Sequence, residues 1–178
     1  NDMAVAADGS VYVTDTAQPR LFRLPPGGQA LELFATDPRF DVKGGGLDGI
    51  AIGADGQLYV NLLGNGKLFR VEVADGKAGA ITEIALDTPL GVADGMRHEG
   101  GNRFLVVTAD GLARVTVDGD KGSVETLRSG LAGPTGVAIV GNDALVAEGQ
   151  LSILFDPAKR DQAPSLPFVL RAVPLTRS

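Results

Sequence analysis

Asn1-Asp-Met-Ala-Val-Ala-Ala-Asp-Gly-Ser-Val-Tyr-Val-Thr14 aligns without a gap on Asp48-Gly-Ile-Ala-Ile-Gly-Ala-Asp-Gly-Gln-Leu-Tyr-Val-Asn61, 47 residues further on. A third copy opens 46 residues later at Asp94-Gly-Met and reaches Phe104-Leu-Val-Val107. A fourth opens after another 41, at Thr135-Gly-Val-Ala-Ile, and reaches Leu145-Val-Ala-Glu148. Behind each pair of apolar runs the spacing predicts a third strand: Leu21–Leu24, Lys67–Val71, Ala113–Val117 and Ser152–Phe155. A fourth strand is predicted at Ala30–Phe34, Ile81–Ala85, Val124–Leu127 and Phe168–Val173. Four antiparallel strands in a unit of forty-odd residues is the period of a β-propeller blade, which cannot bury both faces alone and stacks sideways on its neighbours. The competing reading, an accidental repeat in a β-sandwich or β-helix, has the gapless match of the first two copies against it. The expected fold is therefore all-β: a propeller with four blades in this chain, at approximately 1–46, 47–89, 90–130 and 131–178, forming one domain or part of one.

The composition agrees. Seven Asp-Gly pairs (at Asp8, Asp48, Asp55, Asp75, Asp94, Asp110 and Asp118) and Asn65-Gly66 punctuate the β-rich runs, and such dipeptides favour the positive φ of tight hairpins. No window of a dozen residues sustains a 3.6-residue apolar period. The 178 residues contain no cysteine, which excludes disulfides, thiolate zinc sites and thiol nucleophiles. That lack suits an exported protein, periplasmic or secreted, more than a cytoplasmic one. A net charge of −6 argues against a nucleic-acid partner, and no apolar run is long enough for a membrane-spanning helix.

In a propeller the innermost strands line a channel, and the first residue of each repeat stands at one mouth: Asn1, Asp48, Asp94 and Thr135. Loops leaving the second strands add Thr14, Asp15, Asn61, Asn65, Thr108 and Glu148 to that face. Oxygen-bearing side chains converging on one axis suit a hard divalent cation, calcium before magnesium. Asp or Asn before Gly is equally an ordinary turn residue, and spacing leaves both readings open. Asn61, Thr135 and Glu148 are candidate substrate contacts. The single histidine, His98, falls toward the opposite mouth and so does not serve a serine triad. Gly44-Gly45-Gly46 lacks the helix and Lys-Ser/Thr of a phosphate loop and reads as a turn between blades. Tyr12 and Tyr59 are equivalent and are expected to pack between blades, and Arg160, Arg171 and Arg177 are too scattered for a basic patch.

Asn1-Asp2, Asp8-Gly9, Tyr12 and Thr14-Asp15 together resemble the N-D-x5-D-G-x2-Y-x-T-D stretch of the gluconolactonase and regucalcin-like propellers (senescence marker protein-like). Gly46-Leu-Asp-Gly-Ile50 is similar to their N-G-[LI] stretch and Ala93-Asp-Gly-Met96 to their D-G-M, in the same order. The resemblance implies a six-bladed ring with a divalent metal, commonly calcium, in the channel and hydrolysis of lactones or related esters. It implies Asn1, Asp48 and Asp94 as metal ligands, Asp48 standing where the family has Asn, with no counterpart here for the family's first-blade Glu. Asp94 is then ligand and catalytic base, the metal polarising the carbonyl and activating water.

The alternative is a non-catalytic propeller that binds a small sugar-like ligand or a protein partner at the same mouth. Six such units need roughly 270 residues, so a ring of that size requires further N-terminal blades or a second chain. In that case Met3, Val5, Val11 and Val13 are expected to lack a neighbour within this chain.

Overall fold

The computed structural model describes residues 1–159 and 161–175, residue 154 by its backbone alone. The first four strands, β1 (Met3–Val5), β2 (Val11–Asp15), β3 (Arg20–Leu24) and β4 (Glu32–Thr36), form one antiparallel meander. The second meander contains β5 (Leu47–Ile52), β6 (Leu58–Leu62), β7 (Leu68–Ala74) and β8 (Lys77–Leu86). The third contains β9 (Ala93–Gly100), β10 (Arg103–Thr108), β11 (Leu112–Asp118) and β12 (Lys121–Arg128). The last has β13 (Pro134–Val140), β14 (Asp143–Glu148) and β15 (Val169–Pro174). The chain is all-β: the first three repeats read from the sequence are each a four-stranded meander, and the fourth, among the described residues, holds three strands.

The first strands pack in chain order, β1 on β5, β5 on β9 and β9 on β13. Three buried clusters fill the three spaces between units. Tyr12 and Leu21 meet Ile50, Val60 and Phe69; Tyr59 and Ile84 meet Met96, Phe104 and Val115; Leu105 and Val107 meet Val137, Ala144 and Val146. The two tyrosines therefore lie between units as expected. The Tyr59 ring centroid is 4.4 Å from that of Phe104 in the next unit. Covering both faces explains why β6, Leu-Tyr-Val-Asn-Leu, is buried at every position instead of alternating like a half-exposed strand. At the rim, β8 and β12 make a short parallel pairing, Lys121 with Ala85 and Gly122 with Leu86, which joins two meanders into one eight-stranded sheet.

Asp8-Gly9 and Asp55-Gly56 close hairpins in which the aspartate accepts the N–H two residues on, at 2.8 Å from Ser10 N and 3.1 Å from Gln57 N. Asp75-Gly76 has positive φ at both positions, 51° and 71°, the two-residue hairpin expected. Asp48-Gly49 and Asp94-Gly95 are different: they lie inside β5 and β9. Hairpin chemistry is not what these two pairs do.

Close approach of neighbouring strands is the reason for glycine there. A Cβ on Gly49 would collide with Asn61 Oδ1 and stand 2.5 Å from Asp94 O and 2.7 Å from Met96 N. Gly49→Ala therefore forces β5 and β9 apart and is expected to cost about 3 kcal/mol. Gly136→Ala, on β13 with open space around the new methyl, is expected to change stability by less than about 0.5 kcal/mol. Urea denaturation of the two variants checks the difference.

The predicted third strand of the fourth unit, Ser152–Phe155, is a helix, α1 (Leu151–Phe155), inside an excursion over 149–168. The third place in that sheet is taken by β15, paired from Asp143 with Pro174 to Glu148 with Val169. A short apolar run carries no decisive period, and Pro157, Pro164 and Pro167 exclude a regular ladder just after it. The Gly44–Gly46 segment is a turn entering β5, with φ of 95° and 121° at its first two residues. Met3 and Val5 are 58% and 66% exposed, whereas Val11 and Val13 are half-buried. Among the described residues no helix is long and apolar enough to cross a membrane.

Candidate functional site

Asp48 and Asp94 come together where β5 and β9 lie side by side. Asp48 is 2% exposed, and Asp94, one strand over, is half-buried. Their carboxyl groups lie within hydrogen-bonding reach of one another. Burial, reinforced by the charge of Asp94 and its hydrogen bond, and then by the charge of Asp2, pushes the Asp48 carboxyl up to about 8. Burial also raises Asp94, while its bonds to Asp48 and to the Gly95 N–H act in the opposite sense. Both carboxyls are thus held above the usual carboxylate range, Asp48 chiefly and Asp94 first by burial.

The neighbouring strands fix this pair through the backbone. Thr14 Oγ1 donates to Asp48 O at 2.6 Å and accepts from Asp2 N at 3.0 Å. One repeat later, at the equivalent position, Asn61 Nδ2 donates to Ala93 O at 2.7 Å and Asp94 O at 3.0 Å. In the first two units the penultimate residue of the second strand thus ties its unit to the start of the next. This role of Thr14 and Asn61 was not read from the sequence, although their alignment 47 residues apart was the signal for it.

Two oxygens at this junction are orphaned. Asp48 Oδ1 and Asn61 Oδ1 are buried with no hydrogen-bond partner, an arrangement that is costly unless something binds there. Among the described residues no three His, Cys, Asp or Glu side chains gather as a metal-ligand group; the third oxygen here is an amide. Asn1 is exposed, its backbone nitrogen donating to Thr14 O at 2.7 Å. The acidic neighbour that bears on the pair is Asp2, whose Oδ2 is held by Arg97 at 2.8 Å.

Asp94 also lines a cavity of about 610 Å³ with Leu63, Val92, Thr108, Leu131, Pro134 and the α1 residues Leu151, Ser152 and Phe155. Thr135 is half-buried beside it, its carbonyl 3.0 Å from where a Gly95 Cβ would stand. Glu148 is committed to structure: it accepts from Ala132 N at 2.8 Å and Arg171 Nε at 2.8 Å, which hold it below the usual carboxylate range. Its effect on the cavity is to anchor the Ala132–Pro134 wall. Arg160 and Arg177 lie outside the described residues.

His98 is four residues beyond Asp94 on β9, about 13 Å along the strand. Its Nε2 is 2.9 Å from Gly101 O and its ring packs on Phe104. It lines a separate open groove of about 370 Å³ with Met3, Val5, Arg97 and Ile139.

These features define an all-β repeat protein with a paired-carboxylate site at the junction of its inner strands. Solved structures share the fold. The chain is similar to a gluconolactonase from Xanthomonas campestris, with 20% identity and a TM-score of 0.67 over 82% of this chain and 52% of that one. It is similar to the allergen Mala s 1 of Malassezia sympodialis, with 15% identity and a TM-score of 0.68 over 85% and 50%. It is also similar to the virginiamycin B lyase of Staphylococcus aureus, with 20% identity and a TM-score of 0.62 over 81% and 46%. The chain thus spans about half the length of the structures it matches. No protein-family model and no curated relative matches it. The likeness in fold to gluconolactonases, first read from the Asn1-Asp2, Asp48-Gly49 and Asp94-Gly95 motifs, is present in the structure.

Proposed function

We propose that this chain is the four-bladed part, divided near 1–46, 47–89, 90–130 and 131–178, of a six-bladed metal-dependent hydrolase of lactones or related esters. The reading rests above all on one observation: two adjacent carboxyls stand beside orphaned buried oxygens at the wall of a cavity large enough for a small substrate. The gluconolactonase among the structures of the same fold supports it. The exposed Met3 and Val5 at one end and Val169 and Leu170 at the other suit burial by further blades or a second chain.

The donor set fits a hard cation. Asp48, Asp94 and Asn61 Oδ1 would hold it, with Asn1 close by, and all are oxygen ligands of the kind calcium takes. When bound there it supplies a positive charge that polarises a carbonyl oxygen and stabilises the negative charge developing on it. Ionised Asp94 takes a proton from the attacking water. The water oxygen bonds the carbonyl carbon, the C–O bond of the lactone or ester breaks, and the proton passes to the departing oxygen, giving a hydroxy acid from the lactone. Asp48, buried beside Asp94 on the neighbouring strand, would help hold the cation and keep the Asp94 carboxyl in place.

Initial rates of lactone hydrolysis in calcium test this on the full-length protein. Asp94→Asn, which keeps the shape and removes the base, is expected to lower kcat by about 10² to 10⁴. An undiminished rate in that variant, or no turnover by the parent, overturns the assignment.

A further inference from the structure

The cavity wall is unlike a site built for a polyhydroxylated ring. A sugar lactone carries a hydroxyl on most carbons, and each needs a hydrogen-bond partner when it leaves water. Beyond Asp94 the lining has Thr108, Asp110 and Ser152, but its larger side chains are Leu63, Val92, Leu131, Leu151 and Phe155. Among the described residues two of these are exposed, Phe155 at 69% and Val92 at 44%. Phe155 comes from the excursion that replaced a strand in the fourth unit, and that excursion is pinned over the cavity by specific bonds. Gln150 N donates to Ala132 O at 2.9 Å, and the Gln150 side chain exchanges two 2.8 Å hydrogen bonds with the Ser165 backbone. A strand in this position would have given the sheet a ladder; the helix gives the cavity an apolar roof next to its carboxylate.

We infer that the substrate of this site carries an apolar body, an alkyl chain or aryl ring attached to the lactone or ester, seated among Leu63, Val92, Leu131, Leu151 and Phe155. The inference rests on the hydrolytic reading above for its reaction, but not for its binding. The polar end lies at Asp94 and the apolar end under α1, so affinity grows with the carbon buried and not with the hydroxyls presented.

The test uses full-length protein in calcium with a series of γ-lactones bearing no side chain, then butyl and hexyl chains, and with glucono-δ-lactone for comparison. Hydrolysis rates and calorimetric binding are both measured. Expected is a rise in kcat/KM of up to about fourfold per methylene buried, with glucono-δ-lactone at least tenfold below the hexyl compound. The double substitution Val92→Ser, Phe155→Ser flattens that series. A flat series in the parent, or preference for glucono-δ-lactone, overturns the inference while leaving the hydrolytic reading in place. No turnover of any compound overturns the hydrolytic reading; the inference then stands or falls on whether binding still tightens with chain length. A double variant that melts lower yet keeps the full chain-length dependence overturns the role given to Val92 and Phe155.

Discussion

In millimolar calcium the full-length protein is expected to melt roughly 5–10 °C higher than in chelator. A ligand that binds only the folded state, at a hundredfold excess over its Kd, stabilises by about 2.7 kcal/mol, which corresponds to a shift of that order for a chain of this size. The physical source is local. Asp48 and Asp94 repel when both are ionised, and Asp48 Oδ1 and Asn61 Oδ1 have no protein donor. A divalent cation removes the repulsion and satisfies the orphans together. Asp94→Ala is expected to abolish the calcium response along with any lactone hydrolysis. His98→Ala leaves both intact, because that ring sits far down β9 and bonds to Gly101. A calcium titration by calorimetry decides the matter: equal binding by parent and Asp94→Ala, or none by the parent, rejects the cation site.

Without calcium, stability is expected to fall as pH rises from about 4 to about 8. The Asp48 carboxyl, raised to about 8 chiefly by burial, keeps its proton in the folded state over a range where the unfolded chain has released it. The folded state binds more protons there, so raising the pH favours unfolding. The contribution is complete below the ordinary carboxylate range and is lost as pH passes through the raised value. Asp94 and Asp2 face the same group and act in the same direction, and the Asn1 backbone nitrogen opposes them. Asp48→Asn carries no charge to bury. In chelator at pH 8 it should be more stable than the parent by about 1–3 kcal/mol, with a flatter pH profile. Urea melts at pH 5 and pH 8 measure both, and an unchanged profile in Asp48→Asn would show that this carboxyl is not the group responsible. In calcium the sign reverses for the parent: the cation competes with the Asp48 proton, so its affinity rises with pH.

The two carboxylates show how far the sequence reached. Position one of each repeat was legible because a gapless repeat puts equivalent residues in equivalent places, and this alone brings Asp48 and Asp94 to the same end of the inner strands. Their role was not legible from Asp-Gly, since the same dipeptide closes the hairpins at Asp8 and Asp55. The structure separates them: hairpin aspartates accept backbone N–H groups two residues on, while Asp48 and Asp94 lie within strands beside glycines that permit close strand packing. Asn61 was recognised as a residue on the site's face, but its bonds to Ala93 O and Asp94 O depend on how one unit docks on the next. Glu148 likewise reads in sequence as a candidate substrate contact, and its bonds to Ala132 and Arg171 appear only in space.

By itself the sequence determined the all-β class, the period of the repeat and the place of Tyr12 and Tyr59 between units, because strand alternation, turn glycines and a period of forty-odd residues are local properties of the chain. Tertiary structure alone decided three things. It placed two carboxyls side by side, since the spacing of β5 and β9 is set by Gly49 meeting the backbone of β9. It left two oxygens orphaned, since satisfaction is a property of a whole neighbourhood. And it turned Ser152–Phe155 from an expected strand into the helix over the cavity, because β15, some fifteen residues further along the chain, completes the pairing with β14 and leaves that apolar run to pack where the substrate is proposed to bind.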